Sequence, residues 1–296
     1  DILGLGGTIL RTSRQPFKQM TVSDGGTTRL QKMCENYRKM GLDCLFTLGG
    51  AGTHKTAALL CMEGCNVVGL PKTIDNDIYG TDVTFGFQTA VEVATEAIDR
   101  IRTTAASHSR TMLIEIMGNK AGWLTLHAGI AAGADMILIP EIPFSVDKVC
   151  EFVAEQRRQC KTHTIIAVAE GAVLASEVKF KKSERTFVRT ERGESTVTAH
   201  LAEVLQERTG FETRTSVLGY LQRGGTPCAY DRLLSSRLGG YAAKLACDGK
   251  FGVTAAVSGT RITFNALADI AGKYKFVSPS CETVRFAESI GIGFGR

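Results

Sequence analysis

Along this chain, short apolar runs alternate with longer stretches in which apolar residues recur every three or four positions. The runs at 44–49, 67–70, 111–117, 136–140 and 164–169 are rich in Ile, Val and Leu and show little in–out alternation. A strand apolar on both faces suits a parallel sheet covered by helices on each side. Between the runs, residues 89–108 place Ala90, Val93, Ala94, Ala97, Ile98 and Ile101 along one side of a long helix. Residues 146–160, 197–207 and 231–246 predict further helices, the second stopped by Gly210. Thr53 is placed to cap a helix running through Leu60.

The βαβα order predicts an α/β protein, and 296 residues suffice for two doubly wound, mainly parallel sheets with helices on both faces. In such sheets ligands bind beyond the carboxyl ends of the strands, which directs attention to the loops that follow them. No short-period repeat and no low-complexity linker interrupts the pattern.

Composition narrows the function classes. A net charge of +5 is too small to imply a nucleic-acid partner. The densest basic cluster, Lys179-Phe180-Lys181-Lys182, reads as solvated surface. No apolar run approaches the roughly 20 residues of a bilayer-spanning helix, so no membrane partner is expected. The opening Asp1-Ile2-Leu3-Gly4-Leu5-Gly6-Gly7 has neither a basic segment nor a signal-like apolar one. Nine cysteines at irregular spacing form no Cys-x-x-Cys pair and no zinc pattern, which suits reduced thiols in the cytoplasm.

The candidate chemistry lies in the loops after strands. Gly49-Gly50-Ala51-Gly52-Thr53 could be an ordinary strand–helix turn, or a loop whose backbone approaches a phosphate at a helix amino terminus. It matches neither Walker nor dinucleotide spacing. In Lys72-Thr73-Ile74-Asp75-Asn76-Asp77, the carboxylates could serve an Asx-turn, or one could take a proton from a hydroxyl while the other holds a metal through water. Lys72 could neutralise phosphoryl oxygens. Arg223, between Gln222 and Gly224, can fork onto a phosphate, with Arg214 upstream. Arg110, alone, reads as a surface residue, and Glu170 at a strand end could accept from sugar hydroxyls. Together these loops suggest phosphoryl transfer to a phosphorylated substrate, without naming the sugar.

Five segments in this order are similar to motifs of the 6-phosphofructokinase family, over roughly residues 6–245. They are Gly-Gly-x-Gly-Thr, Pro-Lys-Thr-Ile-Asp-Asn-Asp, Met-Gly-x-x-Ala-Gly-Trp, Ala-Glu-Gly and Leu-Gly-Tyr-Leu-Gln-Arg-Gly-Gly. The resemblance implies that Asp75 is the base for the 1-hydroxyl of fructose 6-phosphate, with Thr73 near the reacting group. It places Met117, Gly118, Asn119 and Glu170 around the sugar, and Tyr220 and Arg223 on its 6-phosphate. Arg110 and Arg214 would reach in from a neighbouring subunit, which implies a homo-oligomer, commonly a tetramer. The phosphoryl donor would fall to Arg14, Gly50, Ala51, Gly52, Thr53 and Lys72. Residues 1–86 with 223–272 would bind the donor, and 87–222 with 273–296 the sugar phosphate.

The sequence also departs from the family pattern. Members carry an opening strand and Gly-Gly-Asp loop roughly 50 residues earlier, by the size of a βαβ unit. That pattern leads to the expectation that the chain is an amino-terminally shortened piece whose nucleotide site lacks one wall. Ala51 stands where many members place a magnesium-associated carboxylate, leaving Mg2+ to Asp77, phosphates and water. Asn119 replaces an arginine, with Lys120 adjacent. Gly52 favours ATP, because a carboxylate there would obstruct the α-phosphate, whereas Lys72 is typical of pyrophosphate-dependent members. The pair resembles a branch of mixed signature, and ATP is the expected donor for a glycolytic phosphofructokinase. A pyrophosphate-dependent enzyme and a non-catalytic sugar-phosphate-binding subunit are the alternatives. Arg102 stands where bacterial members use an effector-site arginine, or is plain surface.

Overall fold

The structure, a computed structural model, describes residues 2–12, 17–181, 183–185 and 196–296, and of Asp24 only the backbone. Arg14 and Lys182, both singled out in the sequence, lie outside the described residues. The strands are β1 (Ser23–Asp24), β2 (Thr27–Thr28), β3 (Leu45–Gly49), β4 (Val67–Pro71), β5 (Thr111–Ile116), β6 (Met136–Leu138), β7 (Thr164–Ala169), β8 (Thr213–Val217), β9 (Val253–Ser258) and β10 (Arg261–Ala266). The helices are α1 (Arg29–Lys39), α2 (Ala51–Met62), α3 (Phe87–His108), α4 (Trp123–Ala131), α5 (Val146–Arg158), α6 (Val197–Thr209), α7 (Ala229–Cys247), α8 (Leu267–Ile270) and α9 (Glu282–Ser289). None of the described helices is long and apolar enough to cross a membrane.

The chain forms two compact units, Asp1–Gln88 with Gly225–Lys275, and Thr89–Gly224 with Phe276–Arg296. The first holds a sheet in the order β10-β9-β4-β3, with β3, β4 and β9 parallel and β10 antiparallel to β9. Val67 of β4 packs with Leu30 and Cys34 of α1, Ala57 and Leu60 of α2, and Leu267 and Ile270 of α8. Helix α7 packs against β4 and β9. Every residue of β4 is buried, as its uninterrupted apolar run predicts. β3 differs: it is an edge strand of this sheet, and Phe46 and Leu48 are 41% and 46% exposed.

The second unit holds the all-parallel order β6-β7-β5-β8. β5 and β7 are buried throughout, and Leu113, Ile166 and Val168 pack against Val153 of α5 and Leu201 and Leu205 of α6. Helix α4 lies so close to the sheet that a Cβ on Gly129 would stand 2.7 Å from Ile137. Only glycine permits that approach without a shift.

Local chemistry sets the helix ends. Thr28 and Gln31 form a reciprocal capping box at the start of α1, and Gly210, at φ 70°, closes α6 in the left-handed region. The expected cap at Thr53 is corrected: α2 begins at Ala51 with Gly50 as its N-cap. Thr53 instead folds back over Gly49, where a Cβ would meet its Oγ1 at 2.1 Å. One helical turn thus starts directly at the strand end.

His54 ties this turn to the sheet. It is 1% exposed, with Nδ1 3.0 Å from the Gly50 carbonyl oxygen and Nε2 2.9 Å from Thr254 Oγ1 of β9. A carbonyl can only accept, so Nδ1 carries the proton and donates to Gly50, and Nε2 accepts from the threonine hydroxyl. Burial holds the imidazole pKa below its ordinary value. An unfolded chain therefore binds a proton at mildly acid pH that the folded chain refuses, so this group's contribution to stability falls as pH drops below about 6.5. Thermal melts between pH 7.5 and 5.5 should show a steeper loss of Tm for the wild type than for His54→Gln. Parallel curves would remove His54 as a source of acid sensitivity.

Candidate active site

In the first unit, parallel pairing of β3 with β4 sets Gly49 opposite Pro71, so the loops after the two strands leave side by side. The Lys72 N–H donates to the Gly49 carbonyl at 3.1 Å, and a Cβ on Gly50 would stand 3.7 Å from Thr73 Cβ. No side chain caps α2 at Gly50, which leaves the first-turn N–H groups available to an anion alongside the helix dipole. Gly52 is exposed, with nothing within 4 Å of where a Cβ would be, and Thr53 is half-buried. Ala51 offers only a methyl group. Lys72 is exposed beside this opening.

The acidic loop is held by its own side chains. Thr73 Oγ1 accepts from the Asp75 N–H at 3.1 Å, and Thr84 Oγ1 donates to the Thr73 carbonyl at 2.8 Å. Asn76, between the two carboxylates, takes a positive φ of 50°, and its Oδ1 accepts from the Thr84 N–H at 3.1 Å. Asp75 is half-buried, whereas Asp77 is 6% exposed and its backbone carbonyl accepts from the Lys275 N–H at 2.9 Å. The Lys275 ammonium, pushed down to about 8 by burial against the opposing pull of Asp82 and Asp77, is bonded to this loop.

In the second unit, the loop after β5, the end of β7 and the turn after β8 converge. Glu170 Oε1 accepts from Asn119 N–H at 2.7 Å and Gly118 N–H at 3.3 Å. Gln222 Oε1 accepts from Met117 N–H at 3.2 Å, and Arg223 Nε lies 3.3 Å from Met117 Sδ. Gly171 is required here, because a Cβ would meet the Asn119 carbonyl oxygen at 2.1 Å. Tyr220 is 80% exposed in the 3-10 turn Gly219–Arg223. This cluster therefore gathers Met117, Gly118, Asn119, Glu170 and Arg223, with Tyr220 in the same turn as Arg223.

Arg110 and Arg214 stand elsewhere. Both pair with Glu212 Oε1, at 2.8 and 2.7 Å, and the hydrogen bond from Arg110, helped by the charges of both arginines, holds that carboxylate below its ordinary range. Arg110 precedes β5 and Arg214 is the second residue of β8, so both belong to the amino-terminal edge of this sheet. Six residues of β5 span about 20 Å between that edge and the Glu170 cluster. Arg102 donates to the Ala132 carbonyl and, at 2.8 Å, to the Gly133 carbonyl, and so caps the end of α4.

Several residues that shape these loops were not assigned a role from sequence. Gln222 is 2% exposed and lies within a motif already noted, yet only the structure pairs it with Met117. Glu141 accepts from the Gly122 N–H and, at 3.0 Å, from the Val277 N–H, which anchors the start of α4. Its pKa is raised by burial, with those backbone donors opposing the shift. Asn76, Thr84 and Lys275 brace the acidic loop from positions up to 199 residues apart.

The phosphofructokinase family model matches residues 1–246. An ATP-dependent 6-phosphofructokinase of Spirochaeta thermophila is 49% identical over 99% of this chain and 81% of its own length. A pyrophosphate–fructose 6-phosphate 1-phosphotransferase of Amycolatopsis methanolica is 47% identical over 94% of this chain and 80% of its own. The crystal structure of Pichia pastoris phosphofructokinase in the T-state superposes with a TM-score of 0.76 at 32% identity, over 91% of this chain and 29% of that one. The chain belongs to the phosphofructokinase family.

Proposed function

We propose that the protein is an ATP-dependent 6-phosphofructokinase, transferring a phosphoryl group to the 1-hydroxyl of fructose 6-phosphate to give fructose 1,6-bisphosphate in glycolysis. The observation that carries this reading is the adjacency of an uncapped, glycine-lined helix start and a braced carboxylate loop at neighbouring strand ends. Phosphoryl transfer needs little else from a protein than positioning and charge. Asp75 takes the proton from the attacking hydroxyl, and its bonded backbone fixes where that carboxylate stands. The N–H groups after Gly50, with Lys72, receive the donor's phosphates. Arg14 belongs to the same assignment from the family pattern.

The first unit accordingly takes the donor and the second the sugar phosphate. Glu170 orients the sugar while Arg223, with Tyr220, neutralises its 6-phosphate. Arg110 and Arg214 sit at the far edge of their own sheet, which favours a homo-oligomer in which a second copy supplies them. All nine cysteines are free thiols, in keeping with a cytoplasmic enzyme.

Magnesium fits this donor set in one form. Among the described residues, no group of three or more His, Cys, Asp and Glu side chains could hold an ion. Magnesium needs only one or two carboxylates when phosphates and water supply its remaining oxygens. Asp77 is the carboxylate assigned to the ion, reaching it through water, with phosphates and water giving the other oxygens. The ion would supply positive charge to the moving phosphoryl group.

A second reading, pyrophosphate as donor, is favoured by exposed Lys72 beside the glycine loop. Purified protein offered fructose 6-phosphate and magnesium should turn over with ATP; turnover with pyrophosphate alone would overturn the choice of donor. Asp75→Ser should lower kcat by roughly 10²–10⁴-fold, with sugar binding by calorimetry retained. An unchanged kcat would remove Asp75 from the chemistry. Ala51→Asp should lower the magnesium concentration giving half-maximal rate; no change would mean the ion is held entirely elsewhere.

A further inference from the structure

The ammonium of Lys275 has three protons to donate, and three acceptors of the first unit take them. They are Asn76 Oδ1 at 3.1 Å, the Thr81 carbonyl at 2.8 Å and the Asp82 carbonyl at 2.8 Å. The lysine's own N–H donates to the Asp77 carbonyl, and Tyr274 forms an antiparallel bridge with Ile78. A single residue therefore holds the acidic loop on one side and the returning segment through Asp82 on the other. Asn76 is where the two meet: its Nδ2 donates to the Asp82 carbonyl at 3.4 Å, and its Oδ1 also accepts from Thr84.

That arrangement matters because of Asn76's backbone. A non-glycine residue at φ 50° persists only where its surroundings over-determine it. Its side chain supplies the constraint, and Lys275 is the charged partner of that side chain. With every proton committed to the loop, Lys275 is a brace rather than a ligand for phosphate. Asp82 is itself fixed, its carboxylate accepting from the Gly259 N–H at 2.6 Å and its N–H donating to Val257 of β9. The brace thus anchors the acidic loop to β9 in the sheet of the first unit.

We propose that Lys275 is the positioning residue of the acidic loop, holding Asn76 in its left-handed conformation and so fixing Asp75 for reaction. The kinetic part of this inference rests on the reading of Asp75 as the base; the structural part does not. Displacing a reacting group by about 1 Å can cost on the order of 10²-fold in rate, which gives the brace its leverage.

The test is Lys275→Met in the full chain, which keeps the length of the stem and removes the charge and all three donors. Hydrogen exchange read by mass spectrometry should speed up across residues 74–84 and stay unchanged in β5 and β7. With saturating ATP, kcat should fall on the order of 10–100-fold while KM for fructose 6-phosphate moves by less than about threefold. Lys275→Arg, which retains charge and donors, should recover part of the protection and of kcat. A residue that only filled space would be replaced by methionine without consequence. Unchanged exchange in 74–84 would overturn the proposal, as would a rise in KM with kcat preserved. Should the methionine variant fail to fold, Lys275→Gln, with one amide donor left, is read by the same criteria. If the wild type turns over no fructose 6-phosphate, the functional reading fails, and exchange in 74–84 alone decides the role of Lys275.

Discussion

Two parallel strands that pair must end at the same edge of their sheet, and the pairing of β3 with β4 imposes that condition on everything built beyond Gly49 and Pro71. The glycine loop and the acidic loop are neighbours because their strands are. The Lys72 N–H closes onto the Gly49 carbonyl, so the register of the pair continues past the strands into the loops. A helix that begins at once after β3 then turns its unsatisfied N–H groups toward the space beside Thr73. No residue of the site has to travel far from a rigid element to take its place.

The loops themselves carry strain that the sheet cannot relieve. Asn76 at φ 50° and Asn119 at φ 51° are both left-handed, and both sit next to the carboxylates of their clusters, Asp75 and Asp77 in one case and Glu170 in the other. Asparagine tolerates this region better than most residues, because its short side chain can bond locally, but the conformation still needs support. Asn76 receives it from Thr84 and Lys275, whereas at Asn119 the backbone N–H is drawn onto Glu170. The two clusters thus solve one problem in two ways, with a half-buried cation in the first and a carboxylate in the second.

What the sequence disclosed follows the physics of each element. β7 was legible to its last residue, because a run apolar on both faces has few alternatives. β6 stops at Leu138, two residues before Pro140, which lacks an N–H to continue a ladder. β8, with Thr, Arg, Thr and Ser ahead of its valine, carried no hydrophobic signal, and as an edge strand it needs none. Helix α4 was hidden by being short and apolar on nearly every side. The motif residues could be read because chemistry demands particular side chains at fixed short spacings. Their supports could not: Lys275 lies 199 residues from Asn76, and no local pattern connects them.

The arginines complete this reasoning. A cationic pair at the amino-terminal edge of a parallel sheet cannot serve a ligand held at the carboxyl-terminal edge of the same sheet, because the strand between them is of fixed length. Glu212 answers for part of their charge, yet one carboxylate oxygen shared by two guanidinium groups leaves net positive charge on an exposed surface. Shared acceptors of this kind are weakly held in water, so neither guanidinium is firmly tied to Glu212. Arg102 shows the contrast: its Nη2 donates to both carbonyls that end α4, which ties that side chain to its own fold. Whether an arginine is structural or available is therefore decided by what already occupies its donors, which sequence position alone does not reveal.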